Sequence, residues 1–176
     1  MHTERLFIRP FTLDDATAFL PLVSDPEVIR YTGDEAATSL DGAREILATR
    51  PLRDYAVHGF GRMACIEKSS GRLVGFTGLK FLEDLGEVDI GYRFLPDCWG
   101  KGYATESARP LMAYGIGELG LERIIGLVIR ENLASAHVLR KLGLSFEREA
   151  CLDGVALDIY ATAGSSRLAS HRPIPR

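Results

Sequence analysis

No run of apolar residues in this 176-residue chain comes near the ~20 that a membrane-crossing helix needs. Its first ten residues, MHTERLFIRP, lack the apolar core behind a basic head that marks a secretory leader. Cysteine is scarce. Cys65, Cys98 and Cys151 are an odd number without metal-ligand spacing, so they read as reduced thiols, and no metal is expected. Positive charge is not in excess either: a formal charge of −3 argues against a dedicated nucleic-acid binder, a local basic patch aside. The chain shows no internal repeat and no linker long enough to divide it.

What is present, 46% apolar and 26% charged residues, is ordinary for a globular protein of one core. The expectation is a single cytoplasmic domain over residues 1–163, with a Ser-, Arg- and Pro-rich tail, 164–176, of disordered composition.

Alternation in RLFIRPF predicts a first strand over Leu6–Phe11. Helical spacing of Ala16, Phe19, Leu20 and Val23 predicts a helix capped by Thr12 or Asp14. After a turn-rich connection, SLDGAREILATR reads as a second short helix. RMACIEK and RLVGFTGLKF read as a hairpin turning at SSG, and EVDIGYRFL as a fourth strand stopped by Pro96. Ala104, Ala108, Leu111, Met112, Gly115, Ile116 and Leu119 make one apolar stripe, on a helix that Pro110 should bend. ERIIGLVIR has the Ile and Val content of a buried strand, NLASAHVLRKLG is a helix from Asn132 to Gly143, and the remainder is a hairpin around Asp153–Gly154. An antiparallel meander plus one strand–helix–strand crossover makes a mixed α/β sheet.

The stretch CWGKGYATES carries the chemistry. Gly100 and Gly102 bracket Lys101 between the fourth strand and the long helix. A helix start offers unpaired N–H groups and the positive end of the dipole, and glycine lets an anion approach them. The alternative is a tight turn that binds nothing. A P-loop is excluded because Gly102 stands where Ser or Thr is required. A dinucleotide fingerprint lacks its third glycine, Thr105 holding that place. Glu131 in the role of its ribose-binding acid keeps a nucleotide-binding reading alive.

With its neighbours, this stretch resembles the GNAT superfamily of N-acetyltransferases. It is most similar to the RimJ/RimL-type subgroup of ribosomal-protein N-terminal acetyltransferases. The cofactor signature falls on Trp99-Gly100-Lys101-Gly102-Tyr103-Ala104, with Trp99 in place of the usual first residue. TERLFIRPFTLDDA, DIGYRFLP and ENLASAHVLRKLGLSFE match in the family's order, covering about Thr3 to Ala161, with Leu144 where Phe is expected. The resemblance implies a GNAT fold: a mostly antiparallel sheet of about seven strands, the fourth and fifth splayed, flanked by about four helices. It also implies that acetyl-CoA enters the splay. Phe94 and Leu95 would pair with the pantetheine arm, the amides from Gly100 to Thr105 would hold the pyrophosphate, and Asn132 and Lys141 would contact the cofactor from the last helix. Arg123, Arg130, Arg140 and Lys141 outnumber Glu122 and Glu131, which suits an anionic ligand.

The implied reaction is direct attack of a neutral primary amine on the thioester. A backbone N–H near Phe94 is placed to polarise the carbonyl. Asp89 is the first candidate for base and Glu87, two residues away on the same strand face, the second; both equally suit a solvated strand face. An α-amine, with a pKa near ~8, needs less help than a lysine near ~10.4. The family's usual tyrosine acid is Leu139 here, leaving Ser135, one turn earlier, or His137 to attend the departing thiolate. Cys98 is read as a packing residue, and Tyr92, Tyr103 and Tyr160 as core or cleft aromatics. The acceptor would be a peptide N-terminus or a small-molecule amine, with Asp34, Glu35, Glu83 and Asp84 hinting at a cationic partner. A non-catalytic acyl-CoA sensor stands as the alternative, and the protein would be a monomer or homodimer.

Overall fold

The computed structural model describes residues 1–152 and 154–163; the expected tail, 164–176, lies outside the described residues. Seven strands form one sheet in the order β1-β2-β3-β4-β5-β7-β6. They are β1 (Leu6–Pro10), β2 (Arg62–Glu67), β3 (Leu73–Leu82), β4 (Glu87–Phe94), β5 (Ile125–Ile129), β6 (Ser145–Leu152) and β7 (Val155–Ala161). Every neighbouring pair is antiparallel except β4 and β5. The expected mixed α/β sheet of about seven strands is what the chain forms.

The β4–β5 seam differs from the others. β3 and β4 stay in register over eight positions, from Leu82–Glu87 to Gly75–Phe94. β4 and β5 share only one, Asp89 opposite Ile125. Past it the two strands part, as the family's splayed pair was expected to do. Pro96 then ends β4 in a short 3₁₀ turn at Pro96–Cys98, which leads to the glycine turn and α5 (Tyr103–Gly117).

Strand alternation assigns the two faces. Leu79, Val88 and Ile90 point to α5, whose Ala108, Leu111 and Met112 cover them. Gly115 is small because a Cβ there would press on Leu79 and Ile124 at under 3 Å. α5 runs unbroken through Pro110, so the expected disturbance is absorbed within the helix. α6 (Leu133–Lys141) covers β5 on the same side; Leu139 fills the space that Gly126 leaves without a side chain.

On the opposite face, Ala64 and Phe76 lie under Phe11, Phe19, Val23, Ala43 and Leu47. These come from α1 (Ala16–Ser24), α3 (Leu40–Thr49) and the segment before them. Two further helices were not expected: the one-turn α2 (Pro26–Ile29) and α4 (Pro51–His58). α4 nonetheless carries legible marks. Pro51 sits at its first position and Gly59 ends it at φ 76°, the arrangement that starts and stops helices.

Candidate functional site

A cleft of about 920 Å³ opens at the β4–β5 divergence and reaches both faces of the sheet. One end is the glycine turn. Gly100 and Gly102 adopt φ of 73° and 84°, which a side chain would strain, and a Cβ on Gly100 would meet no protein atom within 4 Å. The first helical bond of α5 is from the Glu106 N–H to the Gly102 carbonyl at 3.0 Å. No protein acceptor takes the N–H groups of Gly100 to Thr105 among the described residues. Gly100, Gly102, Tyr103, Ala104 and Thr105 line the cleft, so the row of donors faces open space at the positive end of a fifteen-residue helix. Lys101 is exposed and is not on the cleft wall.

Three side chains hold this turn in place. Trp99 donates its indole N–H to the Phe94 carbonyl at 2.7 Å while half of its surface stays exposed. Glu106 accepts from Thr3, the Arg5 N–H and the Arg5 guanidinium, tying the N-terminal segment to α5. Tyr103 donates to Glu67 at 2.6 Å. Cys98 is buried, and burial together with the Asp97 carboxylate pushes its thiol up, away from reactivity.

The structure separates Phe94 from Leu95. The Leu95 N–H is bonded to the Val74 carbonyl at 3.0 Å, and its carbonyl accepts from the Cys98 N–H at 2.9 Å. Both backbone groups of Leu95 thus have partners within the protein. Residues of the other parity, Tyr92 and Phe94, turn their backbone groups to the β5 side; the Phe94 carbonyl is taken by the Trp99 indole, and its N–H is left toward the gap.

Across the gap, Asn132 caps α6, its side-chain oxygen accepting the Ser135 N–H at 3.1 Å. Ser135 meets Tyr92, whose phenol donates to the Ser135 carbonyl at 2.8 Å and lies 3.1 Å from the serine Oγ. Because the phenolic proton is used on the carbonyl, the serine hydroxyl is the donor in the second bond. Burial raises the Tyr92 pKa above the ordinary phenol value, so it stays protonated. Leu139 is fully buried against β5. Lys141 and His137 also line the cleft.

Asp89 sits at the last shared position of the seam. Its carboxylate accepts from Arg62 and, at 3.2 Å, from the Leu127 N–H. Gly91 makes the first contact possible, since a Cβ there would run into the guanidinium. Burial raises the Asp89 pKa, and Arg62 only partly opposes this. Glu87 shares the strand face but not the cleft: it is bonded to Arg123 at 3.0 Å and is not on the wall. The expected surplus of positive charge is largely spent too. Arg123 also holds Glu147, Arg130 holds Glu149 and Asp158, and Arg140 donates to Tyr160.

The other end of the cleft is walled by residues 30–34 and α4. Asp34 is gripped by Arg50 at 2.7 Å and Arg93 at 2.6 Å, so it offers a partner no free charge; Glu83 faces Arg53 at 3.3 Å. Asp54 of α4 is 5% exposed and lines the same cleft. Sequence reasoning passed over it, together with Arg62 and the Tyr92–Ser135 contact.

Comparison with known proteins agrees with this geometry. Residues 5–145 match the family described as Acetyltransferase (GNAT) domain. The chain is 32% identical over 168 residues to the "Uncharacterized N-acetyltransferase p20" of Bacillus licheniformis, covering 91% of this chain and 92% of that one. It is 30% identical to the "FsC-acetyl coenzyme A-N(2)-transacetylase" of Aspergillus fumigatus over 82% of this chain and 64% of that protein. Among solved structures, a GNAT-family acetyltransferase from Bacillus anthracis superposes with a TM-score of 0.76 at 27% identity, over 92% of this chain and 95% of that one.

Proposed function

The chain belongs to the GNAT acetyltransferase family, and from that premise we propose that it transfers the acetyl group of acetyl-CoA directly to a primary amine. The observation that carries this is the row of unpartnered N–H groups between Gly100 and Thr105, facing the cleft that opens where β4 and β5 part. Those donors fit a pyrophosphate: they are many, convergent, unshielded by side chains and backed by a helix dipole. Acetyl-CoA supplies an activated acetyl group and a thiol leaving group.

In this reading the Phe94 N–H polarises the acetyl carbonyl in the manner of an oxyanion hole. Asn132 hydrogen-bonds the pantetheine arm, and Lys141 adds charge at the phosphate end. As the thiolate departs, the Ser135 hydroxyl turns its one proton from the Tyr92 oxygen to the sulfur; a thiol of pKa about 8.5 asks for no stronger acid near neutral pH. Asp89 acts through position, keeping the gap open by fixing Leu127 and Arg62. The RimJ/RimL-type motifs support an acceptor that is a peptide α-amine, and the relative named for N(2)-acetyl transfer supports a small-molecule amine.

Titration with CoA in a calorimeter, followed by mass spectrometry of peptide and metabolite pools after exposure to labelled acetyl-CoA, tests the proposal. Heat of binding and labelled N-acetyl products are expected. Silence in both would overturn it, and binding without any acetylated product would favour a CoA sensor.

A further inference from the structure

Phe94 is the last residue of β4, and the protein pins it on most sides. Its buried ring covers Gly75, where a Cβ would press on it at under 3 Å, and lies 6.1 Å from the ring of Tyr103. Its chain neighbours face β3: Arg93 stands opposite Phe76, and the Leu95 N–H donates to the Val74 carbonyl. The backbone groups of Phe94 itself face the other way, where β5 has parted. An extended residue aims its N–H and its carbonyl in the same direction. Anything negative that approaches the N–H therefore meets a carbonyl oxygen beside it. A bare strand edge is as ready to accept as to donate.

Trp99 removes that ambiguity. Past Pro96, which has no N–H to extend the ladder, the chain folds back on itself. The Cys98 N–H donates to the Leu95 carbonyl at 2.9 Å, and the Trp99 N–H to the Pro96 carbonyl at 3.1 Å. This brings the indole to the end of β4, its N–H on the Phe94 carbonyl at 2.7 Å. The indole stands in for the backbone N–H that β5 would supply in a continuous sheet. Among the described residues no acceptor takes the Phe94 N–H, so the edge is left with one free donor beside a carbonyl already engaged. Trp99 also directly precedes Gly100, so one residue borders both the glycine turn and the end of β4.

We propose that Trp99 is a positioning residue for acetyl transfer. By holding the Phe94 carbonyl it fixes the aim of the Phe94 N–H, and it offsets the negative oxygen beside the acetyl oxygen that gains charge as the amine attacks. This rests on the acetyltransferase reading. The acetyl oxygen carries little charge before the attack, so the contribution belongs to the transition state and shows in kcat, leaving KM in place.

Two variants separate the hydrogen bond from the ring. Trp99→Phe keeps an aromatic ring and loses the N–H; Trp99→Gln loses the ring and keeps a side-chain N–H donor. Each is compared with wild type by calorimetry with CoA, by melting temperature, and by turnover of acetyl-CoA with an alanine-initiated peptide and with n-butylamine. The infrared carbonyl band of bound acetyl-CoA, carbon-13 labelled at its carbonyl, is read without any acceptor. In Trp99→Phe, kcat is expected to fall about tenfold, less than the ~100-fold or more that losing a whole oxyanion donor costs. CoA affinity and the KM for acetyl-CoA stay within about twofold, and the band moves back toward that of the free thioester. Trp99→Gln is expected to keep the wild-type band and the greater part of kcat. A glutamine variant no faster than the phenylalanine one, a band unmoved in Trp99→Phe, or a loss of CoA affinity that matches the loss of turnover overturns the proposal and leaves Trp99 a packing residue. Should the glutamine variant not fold, the band in Trp99→Phe decides alone. Absence of CoA heat in wild type is a separate result: it overturns the acetyltransferase reading, and this proposal with it.

Discussion

The Thr77 hydroxyl, on the α5 side of β3, is shut off from solvent and makes no hydrogen bond among the described residues. A buried donor without an acceptor loses its hydration and regains nothing, so Thr77→Val should stabilise the protein by about 1 kcal/mol. The check is a melting temperature about 2–4 °C higher with CoA affinity unchanged. Ser135 and Tyr92 call for a different experiment because they act as a pair. Ser135→Ala and Tyr92→Phe should each lower kcat by about tenfold, below the usual range for a positioned proton donor. The double variant should be little worse than either, and a double-mutant cycle reads that coupling directly.

At the scale of elements, the glycine turn was legible because backbone geometry restricts the choice of residue. Positive φ at Gly100 and Gly102 admits little else, and a run of N–H groups before a helix has few uses. Gly100→Val should cost the fold about 1–2 kcal/mol through backbone strain, yet weaken CoA binding by at least tenfold, because its side chain enters only the open space of the cleft. Calorimetry and thermal melts separate the two effects. Helix α4 was harder to read. Arg50–Pro51 closes α3 and opens α4 without a loop, so the turn signal that separates elements is missing, and the place of Asp54 is not legible locally. Its burial depends on what packs around α4, which no local pattern encodes. The Glu87–Asp89 pair shows the same limit. Alternation correctly put both on one face, but their partners, Arg123 and Arg62, come from distant positions and give the two carboxylates different tasks.

Over the whole molecule, the end of the cleft away from the glycine turn is held by an ion triad. Burial works against the charge of Asp34, but Arg93 and Arg50 outweigh it and hold the carboxyl below its usual range. With the folded value below the unfolded one of about 3.9, the triad's contribution is complete above about pH 4 and is lost as pH falls through the folded value. Asp34→Asn strands Arg93 in a largely buried place and should cost about 3 kcal/mol near neutral pH. Denaturant titrations over a pH series should show the gap between wild type and variant close only on the acid side.

The lone shared position between β4 and β5 has a mechanical consequence. A sheet whose strands are laced together everywhere else, yet joined by one rung at this place, amounts to two plates on a common pin. Pulled between its outer strands, it would part there before any other strand pair gave way. A ligand stretched along the opening adds rungs of its own, and each release takes them out again.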